Sequence, residues 1–402
     1  MDLKLTYEFP GRLKTATLAM MGIGGLLTIV SFFLDNGPEG YMHNRFWANL
    51  LINAFFFMGI GLGATFFMAM VYGSEAYYAT VFKRVTEAVS TWLPVAGAIL
   101  LGVLLLSDLG VNKLYYWMTD AAKDDKIVQG KMAYFGHTGH WFFWLRAFGF
   151  MGVWIFCQRL LRKRSLLEDQ TGDLKLHFKN VTTSAAFLVF FGFTSSVAAW
   201  DWMMSLDVHW FSTMFGWYIF SGIWISAMIT ILMLVLFLRG DGYLEYVNDS
   251  HIHDLGKWIF AISFLWSYLF FCQFMLIWYA DVPVEVTYFQ FRIEHGYKFL
   301  MWFVFFVNFA LPMVFLMSRD AKRNRRFLIT ICLIIFVTHW LDIFIVVMPS
   351  TVGKDWHLGI SELGPFVLFL GLLLYWILNN LSKAPLLPLK HPYLEESKHH
   401  HI

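Results

Sequence analysis

His339 and Asp342 stand three residues apart in the run THWLDIFIVVMP. On a helix that spacing puts both side chains on one face. An imidazole beside a carboxylate in an apolar run can exchange protons near neutral pH, or can be a purely structural hydrogen-bonded pair. Arg146, in WFFWLRAFGF, raises a sharper demand. A guanidinium stays charged at any depth, so it needs a carboxylate or a ligand, and Asp201 and Asp342 are candidates. Asp201 lies in AAWDWMMSLDVHW with Asp207 and His209, where the acids could also merely flank a short turn. A further run, WYADVPVEVTYFQFRIEH, carries Asp281, Glu285, Arg292, Glu294 and His295. Asp281 and Glu285 straddle Pro283 and read equally well as loop acids. His137 and His140 precede Arg146, and Arg45, Asn49 and Asn53 recur at i, i+4 and i+8 on one helical face.

These groups need elements to hold them, and composition says which. Of 402 residues, 58% are hydrophobic and 14% charged, and mean hydropathy is +0.57. Soluble domains carry about 25% charged residues, so a water-soluble enzyme is excluded, as is a disordered chain. Aromatics at 19% suit a protein anchored at two membrane–water interfaces. Net charge of +2 gives no case for nucleic-acid binding. A bilayer core needs about 20 mostly apolar residues per helix. Ten stretches qualify: Lys14 to Leu34, Phe46 to Tyr72, Ala88 to Ser107, Trp141 to Leu161, Val181 to Met204, Thr213 to Leu238, Lys257 to Ala280, Tyr297 to Met317, Phe327 to Met348 and Glu362 to Leu381. The expected fold is therefore an all-α integral membrane protein of about ten transmembrane helices. Residues 1–13 form an N-terminal segment, 14–381 the membrane domain and 382–402 a tail. The first stretch is too long for the apolar core of a signal peptide, and no small-residue cleavage pattern follows it.

Charge then orients the bundle. With the N-terminus and every second loop on one side, 21 Lys and Arg fall there, 8 fall on the other side, and Arg146 lies within a span. The excess predicts that both termini are cytoplasmic. In that frame every acid, His and Arg singled out above lies in the outer half. The inner half is expected to be bare, with acids such as Glu75 and Glu87 only at helix ends. Asp201, Asp281, His339, Asp342 and Arg146 are expected to meet in one pocket near the outer surface, each offsetting the desolvation of the other. The loop from Asp108 to His140 has room for an interfacial helix. The tail, with three Pro and a His-His-His-Ile end, is expected to be mobile, and its His residues are not read as a metal site.

Cofactors held by this chain alone are not expected. Cys157, Cys272 and Cys332 each lie in an apolar run, with no CxxC or CxxCH, which argues against covalent haem, iron–sulfur clusters and zinc fingers. His339 is the only His well inside an expected span, so a bis-His haem lacks its second ligand. GIGLGAT from Gly59 reads as a close-packing helix face rather than a phosphate loop.

The runs AAWDWMMSLDVHWFSTMFGWY, FFCQFMLIWYADVP and THWLDIFIVVMP resemble those of a membrane subunit of bacterial alternative complex III. That complex is a quinol:cytochrome c, or quinol:oxidase, oxidoreductase unrelated to the cytochrome bc complex. The similar subunit is of the ActF type, a relative of the NrfD and polysulfide-reductase membrane anchors. The resemblance covers essentially all the spans. It implies a ten-helix, multi-pass subunit of the bacterial cytoplasmic (inner) membrane, paired with a homologous ten-helix subunit. It also implies partner subunits carrying iron–sulfur clusters and haem c, with a terminal oxidase as a further candidate partner and lipid around the whole. Menaquinol or another quinol would be oxidised nearby, in a site usually assigned to the homologous subunit. This chain's expected part is structural and, at Asp201, His209, Asp281, Glu285, His295, His339, Asp342, Arg146, His137, His140 and Asn53, proton-transferring or quinol-proximal. The bare inner half fits poorly with a complete proton path. The competing reading is a ten-helix secondary transporter, which paired, interrupted helices around a midplane site would favour. Pro94 and Pro312 lie within spans but have no symmetric partners.

Overall fold

The structure is a computed structural model that describes residues 5–35, 43–136 and 138–401; His137 falls outside the described residues. Fifteen α-helices make up the described chain: α1 (Gly11–Leu34), α2 (Asn44–Gly73), α3 (Lys83–Ser90), α4 (Leu93–Asp108), α5 (Lys126–Phe135), α6 (Trp141–Thr171), α7 (Leu174–Trp202), α8 (Phe215–Gly240), α9 (Asp249–Ala280), α10 (Pro283–Glu294), α11 (Lys298–Phe315), α12 (Arg319–Arg323), α13 (Arg325–Thr351), α14 (Ile360–Leu381) and α15 (Leu394–Lys398). Nine segments among the described residues are long and apolar enough to cross a membrane: α1, α2, residues 77–108 through α3 and α4, residues 174–206 through α7, α8, α9, α11, α13 and α14. The chain is an all-helical, multi-pass membrane protein. The tenth expected span, Trp141 to Leu161, lies within one continuous helix, α6, but Arg146, Gln158 and three Trp dilute its apolar content.

Burial sorts the helices into a centre and a periphery. Beyond Asn53, α2 is apolar around its whole circumference, which is how a helix surrounded by other helices reads. Of its most apolar stretch 83% is buried, against 22% for α1. α8 and α13 join α2 in the middle, and α4, α7 and α14 also pack on α2. The outer helices turn large apolar side chains outward, such as Leu26, Val189 and Phe299. That arrangement is stable only against an apolar surrounding.

Small residues let the backbones approach. A Cβ at Gly24 of α1 would stand 2.3 Å from the backbone nitrogen of Leu368 in α14. The GIGLGAT stretch does what its spacing predicts, since a Cβ at Gly61 would stand 2.8 Å from the backbone of Leu93 and one at Gly63 2.7 Å from the Ala227 methyl.

The loops gather at two ends. At one end, the terminal end, the first described residues meet the start of the tail: Leu386 N–H donates to the Leu5 carbonyl at 2.7 Å, and Thr6 bridges to Pro385. At the far end lie the loops around Arg45, residues 109–140, 203–214, 281–297 and 352–359. The grouping matches the two sides that the Lys and Arg count separates. The tail departs from expectation, because it is docked. Leu386, Leu387, Leu394 and Ser397 are buried, and the Asn248 amide donates to the His400 carbonyl at 2.7 Å. Apolar residues between the prolines supply the anchor that composition alone concealed.

Candidate functional site

Among the buried acids of the far end, Asp201 and Asp342 are built differently. α6 and α7 pack as an antiparallel hairpin, which sets Arg146 against Asp201. Arg146 Nε donates to Asp201 Oδ2 at 2.6 Å and Nη2 to Oδ1 at 3.0 Å, a two-pronged pair. The Tyr134 hydroxyl donates to Asp201 Oδ1 at 2.8 Å from α5, while Arg146 Nη1 donates to the Tyr134 carbonyl at 3.0 Å. The guanidinium lies over the Tyr134 and Phe142 rings, 4.1 and 4.5 Å from their centroids. Burial first, and then the charge of Asp201, pushes the Tyr134 phenol up, so it remains a donor. The long loop does hold a helix, α5, and it supplies the lid of this pair.

Asp342 has no cation beside it. The Tyr218 hydroxyl of α8 donates to Oδ1, and the Trp266 indole of α9 donates to Oδ2 at 3.1 Å. One turn back on α13, His339 is buried with neither ring nitrogen hydrogen-bonded. Its ring meets the Trp266 ring edge-on at 5.2 Å. His339 and Asp342 thus share one helix face and one neighbour, as their spacing predicts. Flanking Asp342 on the opposite face, Trp340 donates to Asn53 Oδ1 at 3.0 Å. Asn49, one turn from Asn53, donates to Glu362 Oε1 at 3.0 Å, and Arg45 forks onto the same carboxylate at 2.8 and 2.7 Å.

The expected single pocket is therefore resolved into separate sites. Arg146 and Asp201 meet; His339 and Asp342 form a second centre; Asp281 joins neither. Asp281 ends α9 in the left-handed region (φ 48°) with its side chain exposed. Its helix stops there because Pro283 opens α10 two residues later. Glu285 is half-buried in the first turn of α10, and His295 stacks on Phe291 at 4.0 Å with Nδ1 2.9 Å from the Phe291 carbonyl. His140 Nδ1 lies 2.5 Å from Asp108 Oδ1, and His209 Nε2 lies 2.7 Å from Asp125 Oδ2. A polar cavity of about 520 Å³ opens beside His209 and Asp207, with Lys113, Asp120, Asn44 and Thr351 in its wall. Asp201, His339 and Asp342 do not line it.

Three kinds of residue escaped the sequence reading. Tyr134, Tyr218 and Trp266 are the neutral donors that keep the acids hydrogen-bonded, and nothing local sets them apart from other membrane aromatics. Glu362 sat at a span boundary; the Arg45–Asn49–Asn53 face was the available signal for it. Arg292, counted among the outer-half charges but not among the candidate site residues, is buried and donates to the carbonyls of Tyr288, Ile345 and Val346.

At the terminal end the charges lie at helix ends, Glu87 among them. Arg84 donates to Glu87, Asp169 and Ser165, and Lys83 lies 3.9 Å from both Glu87 and Glu168, all of them buried or nearly so. α7 and α9 also run past the expected spans at that end, carrying His177, His251 and His253. No protein-family model matches the sequence, and no curated protein matches it.

Proposed function

We propose that this chain is a membrane subunit of a bacterial respiratory quinol oxidoreductase of the alternative complex III type. It would sit in the cytoplasmic membrane and support quinol oxidation and electron transfer, with proton exchange at its far end. One observation carries the reading. The three runs that resemble the ActF-like subunits are far apart in sequence, yet the first and third meet at one carboxylate and the second packs against the first at Tyr218. Tyr218 ends the first run and donates to Asp342 in the third, while Phe270, which opens the second, lies 6.1 Å from the Tyr218 ring.

Asp342 suits a proton-exchanging role on chemical grounds. Both of its donors are neutral, so no fixed cation locks the carboxylate in its charged form. Its neighbour His339 has two unengaged ring nitrogens within the same packed cluster. Asp201, by contrast, is clamped by a permanent charge and serves the reading as a structural pair. Both termini would be cytoplasmic. The partners would be a homologous ten-helix subunit and subunits bearing haem c and iron–sulfur clusters, with menaquinol or another quinol oxidised nearby and no redox cofactor on this chain.

The test uses the chain in its own membrane. Affinity-tagged and solubilised in mild detergent, it should bring down partners with c-type haem and iron–sulfur absorption, together with quinol oxidation. Purification as a lone chain that drives solute uptake would overturn the reading in favour of a transporter. Asp342→Asn is the sharper probe. The amide can donate to the Tyr218 oxygen and accept from Trp266, so assembly should be intact. Turnover or proton release should fall; wild-type rates with unchanged proton release would leave Asp342 structural.

A further inference from the structure

The terminal end holds a cluster that the far-end chemistry does not use. Glu168 lies in the last turn of α6, His177 in the first turn of α7, and His391 in the docked tail. Each offers one ligand atom, all within 4.8 Å of one another, and all three residues are buried. His177 Nδ1 stands 3.6 Å from Glu168 Oε1. Neighbouring ligand atoms on a tetrahedral zinc ion are about 3.4 Å apart, given bonds of 2.0–2.2 Å.

We propose that Glu168, His177 and His391 bind one divalent transition-metal ion, zinc by its donor set, which fastens the C-terminal tail to the α6–α7 hairpin. Unmet valence is the first support. Both Glu168 oxygens and both His177 nitrogens are buried without a hydrogen-bond partner, a costly state for four polar atoms in one place. Space is the second. A cavity of about 20 Å³, enough for one water or one small ion, is lined by His177 and His391 together with Tyr72, Lys83 and Thr86, and it reaches exposed Glu75; Glu168 stands outside its wall, 3.6 Å from His177 Nδ1. Two imidazoles and a carboxylate form a recognised zinc set that leaves a fourth position for water.

Lys83 is the competing cation. It stands 3.9 Å from Glu168 Oε2, beyond hydrogen-bond reach, and its ammonium has no hydrogen-bond partner either. Glu168 is thus not consumed by Lys83, and a metal can take its lone pairs. The consequence is mechanical. Two helix ends and the tail are joined at one point, close to where Lys390 donates to the Gln170 carbonyl at 2.6 Å.

The full-length chain, purified in detergent and dialysed against a chelator, should take up one zinc per molecule, measured by elemental analysis and zinc titration. Cobalt(II) in its place should give the visible absorption of a four-coordinate site. His177→Gln and His391→Gln should each weaken binding by more than about 100-fold, beyond the 10–100-fold usual for losing an outer-shell partner. His391 lies in the tail, so its variant leaves the bundle able to fold. Replacing His399, His400 and His401 with Gln must leave binding in place, which separates the site from adventitious capture by the terminal triplet. Zinc should also slow tryptic cleavage after Lys390 in the wild type and not in His391→Gln. Absence of stoichiometric zinc from the wild type, or binding that survives both single variants and vanishes with the triplet, overturns the proposal.

Discussion

The two ends of the bundle solve the problem of buried charge in opposite ways. At the far end each buried acid sits alone on its helix and is met by donors chosen one by one. Asp201 has the Arg146 fork and one phenol; Asp342 has a phenol and an indole and no cation. At the terminal end the charges are pooled. Lys83, Arg84, Glu87, Glu168 and Asp169 crowd together, and Ser165 both accepts from Arg84 and donates to Glu87. A pooled network spreads the loss of one member over several partners, whereas a dedicated pair fails when either half is removed.

The comparison breaks first at Arg146. Arg146→Ala leaves the Asp201 carboxylate buried with one phenol for company, and should destabilise by about 3–5 kcal/mol, the usual cost of orphaning a buried charge. Thermal unfolding in detergent measures it. Combining Arg146→Met with Asp201→Asn should recover much of that loss, because neither charge is then buried. A double variant as unstable as Arg146→Ala alone would show that the pair's geometry, and not its charge, carries the stability. Asp342→Leu comes next. It removes no charge partner but strands the Tyr218 hydroxyl and the Trp266 N–H, and should cost about 1–3 kcal/mol for each donor left unsatisfied. Ser165→Ala should cost less, about 1.5 kcal/mol, because Arg84 still reaches Glu87 and Asp169 directly. A larger loss for Ser165→Ala than for Asp342→Leu would reverse the contrast between pooled and dedicated partners.

The same contrast explains what was legible beforehand. A lone acid or Arg in an apolar run announces itself, so Asp201, Asp342, His339 and Arg146 stood out, and one helix turn placed His339 with Asp342. The spans were equally plain, since nine of the ten expected stretches are helices apolar enough to cross a membrane. The partners were not plain. Tyr134 and Tyr218 are two among 17 tyrosines, and only the packing of α5 over α7 and of α8 against α13 selects them. Convergence was misjudged for the same reason: Asp281 and Asp201 lie at the same end of the bundle, but that says nothing about position around it. The terminal end was hidden differently. Glu168, His177 and His391 lie in segments that read as polar helix ends and a proline-rich tail. Their burial comes from the tail folding back, which no periodicity encodes.

The smallest expected effect lies at the far-end surface, where α5 begins. Asp125 caps that helix by accepting from the Ile127 and Val128 N–H groups at 2.9 and 3.3 Å, while its other oxygen lies 2.7 Å from His209 Nε2. The contact with His209 first, and the cap after it, holds the Asp125 carboxyl below the usual carboxylate range. A depressed acid stabilises the folded state above the unfolded pKa, and the gain is lost as pH falls through the folded value. Hydrogen exchange at Ile127 and Val128 should therefore stay constant from pH 8 to pH 5, once corrected for the intrinsic rate, and lose protection only below about pH 4. Asp125→Asn keeps the cap acceptor and loses the charge, so protection should survive and its acid sensitivity should disappear. Asp125→Ala loses both and should unprotect the two amides at every pH. Because the pair is solvated, neither change should move global unfolding measurably. Since α5 also carries Tyr134, loss of protection that spread to the Tyr134 amide would show the cap supporting the Arg146–Asp201 lid, whereas loss confined to the first turn would show that the lid is held by its own contacts.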